Sequence, residues 1–389
     1  GHRETVRMLL ALPCAALTLF PWNFASKRQQ LELFARRSAH SVHEIALPPS
    51  AELAARLWTW IDAVRAAGEP AVLSLPALDE RELASLAQLL DAAPDSLGLA
   101  LQRLPDDAGA RGLLARASPA RPSTGAPRVS AEDAEAHTRA WVRRALSPSG
   151  LALCPYTASD RLAGVKLEGL GVKSAPILHA VSLATESSRL LADLWECISQ
   201  MTAGGEEAYS SIVLSAPAFD DRWQEWHQDV FPLLEETVLA CGLGRVLGVV
   251  CFHPDYETPP PSFLARHRFG HMHGLRTLRR WLDEQDKELS ARLSDEELLW
   301  ASSYMRRSPH AVVNVLWSRQ LEVAEQKRSS PRLYASNIAR IAAAGRSRLE
   351  QASAEERTFS GASANSDSSV RTEPGVGSVG TPDLSTETG

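Results

Sequence analysis

The sequence predicts an α/β protein: a compact mixed or parallel sheet flanked by helices, with a helical N-terminal extension and a disordered C-terminal tail. Three observations carry this. Between residues 175 and 252 the apolar pattern alternates strand, helix, strand, helix, strand, which is the signature of a layered α/β domain. The third of these strands, 246–252, is nearly continuous in apolar residues, as suits a central strand covered on both faces. Finally, 44% of the 389 residues are hydrophobic and 23% are charged, enough for a large core and a solvated surface.

Taken in chain order, residues 1–49 read as a targeting or flexible segment. The stretch 8–24 is apolar but carries Pro13 and Pro21, and it is too short for a comfortable membrane span. Arg3, Arg7, Lys27 and Arg28 flank it as in targeting peptides. The expectation is an organellar location or, failing that, a cytoplasmic one. Residues 50–110 read as a helical accessory region, a candidate surface for a protein partner together with the segment before it. Leu53, Leu57, Trp58, Ile61 and Val64 recur at helical spacing after Pro48 and Pro49. A short strand is expected at 71–75. Asp79 and Glu82 form a capping-box pattern before a second helix. Residues 111–130 read as a linker, because the run 117–130 has three prolines and few large apolar groups.

The main domain is expected over 131–344. Ser130 and Asp133 open a helix, and Trp141, Val142 and Ala145 give it an apolar side. A strand at 175–183, a helix at 187–201 ended by Gly204 and Gly205, and a strand at 210–215 follow. A long helix spans 220–240, and the continuous apolar strand comes next. Residues 254–273 form a Pro/His-rich excursion. Helices are expected at 275–293, from the Ser294 and Glu297 capping box, and at 311–324. From residue 345 to 389 the composition turns to Ser, Gly, Thr and acids, and disorder is expected.

The formal net charge of −6 argues against a broad nucleic-acid binder. Five scattered cysteines without a CxxC pair argue against a disulfide scaffold or a four-cysteine zinc site. There is no GxGxxG, no phosphate loop and no GxSxG elbow.

The sharpest local signal is Cys251-Phe252-His253-Pro254-Asp255-Tyr256, just past the third strand. Strand ends deliver side chains to a shared crevice in α/β sheets. His253 is a candidate acid/base, and Asp255 and Tyr256 are candidate substrate contacts. Cys154, in Leu153-Cys154-Pro155-Tyr156, is a candidate nucleophile. Arg307 is the anion-binding candidate, because a guanidinium grips a carboxylate or phosphate through two hydrogen bonds. Ser308 and His310 stand beside it, with Ser308 placed to cap the next helix. His267, His271 and His273 lie within seven residues and make zinc an alternative, joined by His253, Asp255 and Cys154. No cofactor is expected.

The pieces LALCPYTAS, SIVLSAP, VVCFHPDYE and RRSPHA, in this order, resemble the DUF1415 family. Cys154 and Pro155 match its first motif. Phe252, His253, Pro254 and Tyr256 match its second, and Arg307, Ser308 and Pro309 its third. The resemblance covers residues 131–325 and implies a small α/β domain without an assigned reaction. Cys251, Arg306, His310 and Ala311 depart from the family pattern of Ser, Asn, Tyr and Pro. Asn314, Trp317 and Ser318 stand where a His and an Arg-Glu pair usually follow. The function expected is a small-molecule enzyme with an anion-binding pocket for a small anionic metabolite. The alternative is a noncatalytic binding or assembly protein that retains the pocket as structure.

Overall fold

A computed structural model of the chain describes residues 41–91, 97, 99–104, 112–117, 128–258, 273–327 and 330–358. The expected leader at 8–24, most of the excursion and the tail beyond 358 lie outside the described residues.

The N-terminal part holds β1 (Ser41–Glu44), α1 (Ala51–Ala67), β2 (Ala71–Ser74), α2 (Glu80–Asp91), β3 (Leu99–Arg103) and β4 (Gly112–Ala117). The Ser50 hydroxyl accepts from Leu53 N–H at 3.1 Å and starts α1. Gly68, in the left-handed region at φ +69°, stops it. Asp79 and Glu82 cap α2 reciprocally, at 2.8 and 2.7 Å, as their spacing predicts.

The strand expected at 71–75 is present as β2, but this part holds more strand than expected. Its four strands form a sheet in the order β1-β2-β4-β3, parallel only between β1 and β2. β4 also falls inside the expected linker. Its Leu113 and Ala115 point into the main core, while Leu114 turns to a small cluster with Val72 and Leu104. That alternation is a strand period too short to be noticed among the flanking Gly and Pro residues.

The second part begins with α3 (Ala131–Trp141), opened by Ser130 and extended by a π turn, Val142–Leu146. β5 (Leu162–Ala163), β6 (Ala175–Val181), α4 (Ser187–Ala208) and β7 (Ser211–Ser215) follow. Gly205 breaks the helical path of α4 at φ +74°. A helical rod runs from Trp223–Glu225 through a π turn, Trp226–Val230, into α5 (Phe231–Ala240), and β8 (Leu247–Phe252) comes next. After the excursion come α6 (Leu275–Gln285), α7 (Lys287–Arg292), α8 (Asp295–Tyr304), β9 (Val312–Trp317), α9 (Ser318–Lys327), α10 (Ser330–Ala344) and α11 (Arg346–Thr358).

The larger sheet has the order β5-β6-β7-β9-β8. β6 and β7 are parallel, and β9 runs antiparallel to both β7 and β8. The carboxyl ends of β6, β7 and β8 therefore share one edge with the amino end of β9.

Two expectations need correction here. The helix expected at 311–324 is a strand followed by a helix: Val312 to Trp317 pair on both sides within the sheet. Three valines in six residues favour the extended chain, and burial on both faces removes the polar stripe a helix would show. The tail expected to be disordered from 345 begins instead with α11. Leu349 and Glu356 on that helix are buried. The Glu356 carboxylate takes two hydrogen bonds from Arg144, at 2.5 and 2.8 Å, and Arg144 also donates to the Tyr304 hydroxyl at 2.6 Å.

One hydrophobic core runs through both parts, from Ala51 to Leu349. α1 lies along α4, Arg65 donates to the Ser188 hydroxyl at 2.8 Å, and the Trp58 indole donates to Thr237 at 3.3 Å. Among the described residues, no helix is long and apolar enough to cross a membrane.

Candidate functional site

Alternation along β7 sends Ser211, Val213 and Ser215 to one face of the larger sheet. On that face lies a cavity of about 320 Å³. Its floor is Ile177, Val213, Val250, Phe252, Asn314 and Leu316, from four adjacent strands. Trp141 and Val142 form one wall, the segment Leu153–Thr157 another, and α9 and α10 a third. Apolar side chains dominate. The polar groups include Cys154, Arg306, Asn314, Gln320 and Glu325. A mainly apolar hollow with a few placed polar groups is the usual form of a small-molecule site.

The wall that carries Cys154 is held through its backbone. Leu153 and Cys154 N–H donate to Ala145 and Leu146 at 3.0 and 3.2 Å, continuing the π turn. Asn337 donates to the Leu153 carbonyl at 2.8 Å and Arg340 to the Ala152 carbonyl at 2.5 Å. Ala152 takes a left-handed conformation, φ +52°, which is uncommon for a residue with a Cβ. The Tyr156 hydroxyl reaches the Ala324 carbonyl at 3.1 Å and ties the wall to α9. Cys154 is half-buried. The other described cysteines are poorer nucleophiles, since burial pushes the thiols of Cys241 and Cys251 up to about 12 and that of Cys197 up to about 11.

The second motif contributes Phe252 to the cavity and not His253. The reason is the strand period: consecutive side chains leave a strand on opposite faces. Phe252 meets Trp141 edge-on, with ring centres 4.9 Å apart. His253 turns away beneath Trp223 and Trp226 and is fully buried. Its Nε2–H donates to the Phe219 carbonyl at 3.0 Å, and its Nδ1 accepts from Asp255 N–H at 3.0 Å. Both ring nitrogens are thus committed to backbone in one neutral tautomer. Burial holds the imidazole below its ordinary pKa, and the bond to Phe219 offsets this only in part. Asp255 is exposed, while Tyr256 is fully buried with its ring against Trp223.

The third motif repeats the pattern. Arg306 lines the cavity and lies over the Phe252 ring, 5.3 Å from its centre. Arg307 does not line it. Its Nε donates to the Tyr256 carbonyl at 3.4 Å, and its own carbonyl accepts from the Trp141 indole at 2.9 Å. Ser308 donates to the His310 carbonyl at 2.5 Å and begins a strand approach rather than a helix. His310 is buried among polar groups. Its Nδ1–H donates to Asp220 at 2.8 Å, leaving Nε2 to accept from His137 Nδ1–H at 3.0 Å. The second Asp220 oxygen accepts from Ala311 N–H at 2.8 Å. Close by, on the same sheet edge, the hydroxyls of Thr138 and Ser215 pair at 2.6 Å.

The predicted residues therefore part into two groups. Cys154 sits in the cavity wall. His253, Asp255, Tyr256, Arg307, Ser308 and His310 surround the carboxyl-end edge of the sheet, in contact chiefly with the backbone and one another. Arg306, Asn314 and Gln320 were missed by the sequence reading. The strand period over 312–317 is the signal that would have placed Asn314. Asp220 and His137 carry no sequence signal, because only the fold brings them to His310.

His267 and His271 lie outside the described residues. His273 packs edge-on against Trp281 and Tyr334, with ring centres 4.5 and 4.9 Å away. Among the described residues no three His, Cys, Asp or Glu side chains gather as a metal site.

Comparison with curated proteins and with solved structures found no match. Residues 133–260, from α3 past the end of β8, match the family model described as a protein of unknown function, DUF1415. The first two motifs fall inside this match and the Arg306–Ala311 motif falls after it, so the stretch that builds most of the cavity floor is similar to DUF1415.

Proposed function

We propose that the chain binds a small, largely apolar, anionic molecule in the sheet-face cavity, with Arg306 facing its charge. The observation that carries this reading is the cavity itself: apolar walls on a pre-formed sheet face, with a guanidinium over the Phe252 ring. Glu325 also reaches the wall, but both its oxygens accept from Ser330 at the start of α10, so its charge is turned to that helix end. Binding is favoured over acid/base catalysis because His253 has no free nitrogen to offer a substrate. Cys154 keeps a covalent step open in the same cavity, and its wall position is what supports that second reading.

Decanoate and decanol serve as matched probes by calorimetry. The expectation is that decanoate binds and raises the unfolding temperature. The Arg306→Gln variant should weaken decanoate about tenfold and leave decanol within about twofold. Absence of decanoate binding, or equal losses for the two probes, would overturn the reading.

A further inference from the structure

Gln320 stands in the first turn of α9, directly after β9, and is 7% exposed. Its Nε2 has no hydrogen-bond partner, yet the side chain lines the cavity. A buried amide donor left unpaired is costly, and native proteins keep few of them without a reason. The described residues supply no acceptor, and a molecule that fills the cavity can bring one.

Its position adds a constraint. The Arg306 carbonyl is bonded to His253 N–H, just past the end of β8. Gln320 lies at the other end of the same strand pair. Trp317 is paired with Leu247 there, and Leu321 presses on Gly248 so closely that a Cβ would meet it at 2.5 Å. From Leu247 to Phe252 the strand advances five residues, roughly 17 Å. The cation and the unpaired donor therefore face the cavity from opposite ends.

We infer that the ligand has two polar ends: an anionic group at Arg306 and, across an apolar middle, an oxygen acceptor that receives the Gln320 Nε2 hydrogen bond. This rests on the binding reading above and names the ligand class, an elongated acid with a carbonyl-type oxygen at its far end.

The test compares decanoate with monomethyl decanedioate, which adds an ester carbonyl at the far end. The intact chain should bind the ester about tenfold more tightly than decanoate. In Gln320→Met and Gln320→Glu, which remove the donor in two ways, that ratio should fall to within about twofold. A circular dichroism spectrum and unfolding temperature recorded for each variant establish that it is folded. Decanoate binding with no preference for the ester would overturn the two-ended ligand and leave the binding reading standing. A preference that survives both variants would overturn the role of Gln320. Failure of both probes to bind would overturn the binding reading and this one together.

Discussion

The two faces of the polar chemistry in this molecule differ in how far their hydrogen bonds are satisfied. At the carboxyl-end edge of the larger sheet, His253, His310, Asp220, Ser308, Thr138 and Ser215 spend their polar atoms on one another or on backbone. Around the cavity, the Gln320 Nε2 has no partner among the described residues and the walls are mainly apolar. The first arrangement resembles an active site in composition, and on the binding reading proposed above it acts as a fastener. The second has few ionisable groups but retains unused bonding capacity. Residue type alone would rank them the other way round.

The largest effect should come from breaking the fastener. His310→Ala leaves Asp220 and the buried His137 without the ring that joins them. The loss should be about 3 kcal/mol, read by urea unfolding. Unchanged or raised stability would mean that the array is strained for function, and the comparison would fail.

The pH dependence is next in size. His253, His179 and His273 all sit below their ordinary pKa, through burial first in each case. The unfolded chain then binds more protons than the folded one as the pH falls from about 6.5. The stability of the neutral rings is fully present above that pH and is lost as the pH falls through their lower folded values. Unfolding temperature should drop between pH 7.5 and 5.5, by approximate buffers spanning the histidine range. His253→Asn should flatten part of that drop and cost about 2 kcal/mol at the upper pH. A slope identical to that of the unaltered chain would remove His253 from the account.

A gain is expected on the other side. Gln320→Met replaces an unpaired amide by an apolar chain of similar length, and should raise stability by about 1 kcal/mol in the absence of ligand. A loss would show that the amide is satisfied in solution.

The smallest structural change, and the sharpest chemical one, concerns the thiols. In a Cys14→Ser background, iodoacetamide should label Cys154 ahead of Cys197, Cys241 and Cys251, and decanoate should slow it several-fold. Peptide mapping reads this directly. Labelling indifferent to decanoate would separate Cys154 from the occupied part of the cavity.

Much of the fold was legible where local chemistry decides it. The Pro48-Pro49 stop and the Asp79, Ser130 and Ser294 signals mark helix starts that the structure reproduces. The strands at 175–181 and 247–252 follow from their apolar runs. The reading failed where tertiary pairing decides. Val312–Trp317 needs β7 and β8 on either side to be a strand, and Gly112–Ala117 needs β2 and β3. At the cavity, the second and third motifs lead to segments that line it, but not to the side chains that do so. Phe252 and Arg306 enter the cavity, while their neighbours His253 and Arg307 point elsewhere. A motif reports which segments matter, and the pleat decides which of two adjacent residues faces the space between them.

The clamp of Arg144 on Glu356 joins residues 212 positions apart. Chains are made from the amino end, and domains fold as they emerge. Until α11 has left the ribosome, the guanidinium beside the cavity wall has no carboxylate to meet, and the π turn that positions Cys154 lacks its outer brace. A nascent chain stalled before residue 356 should accordingly be cleaved by protease near 142–154, and one released beyond it should resist. On that outcome the last described helix acts as a timing element for the wall that carries Cys154.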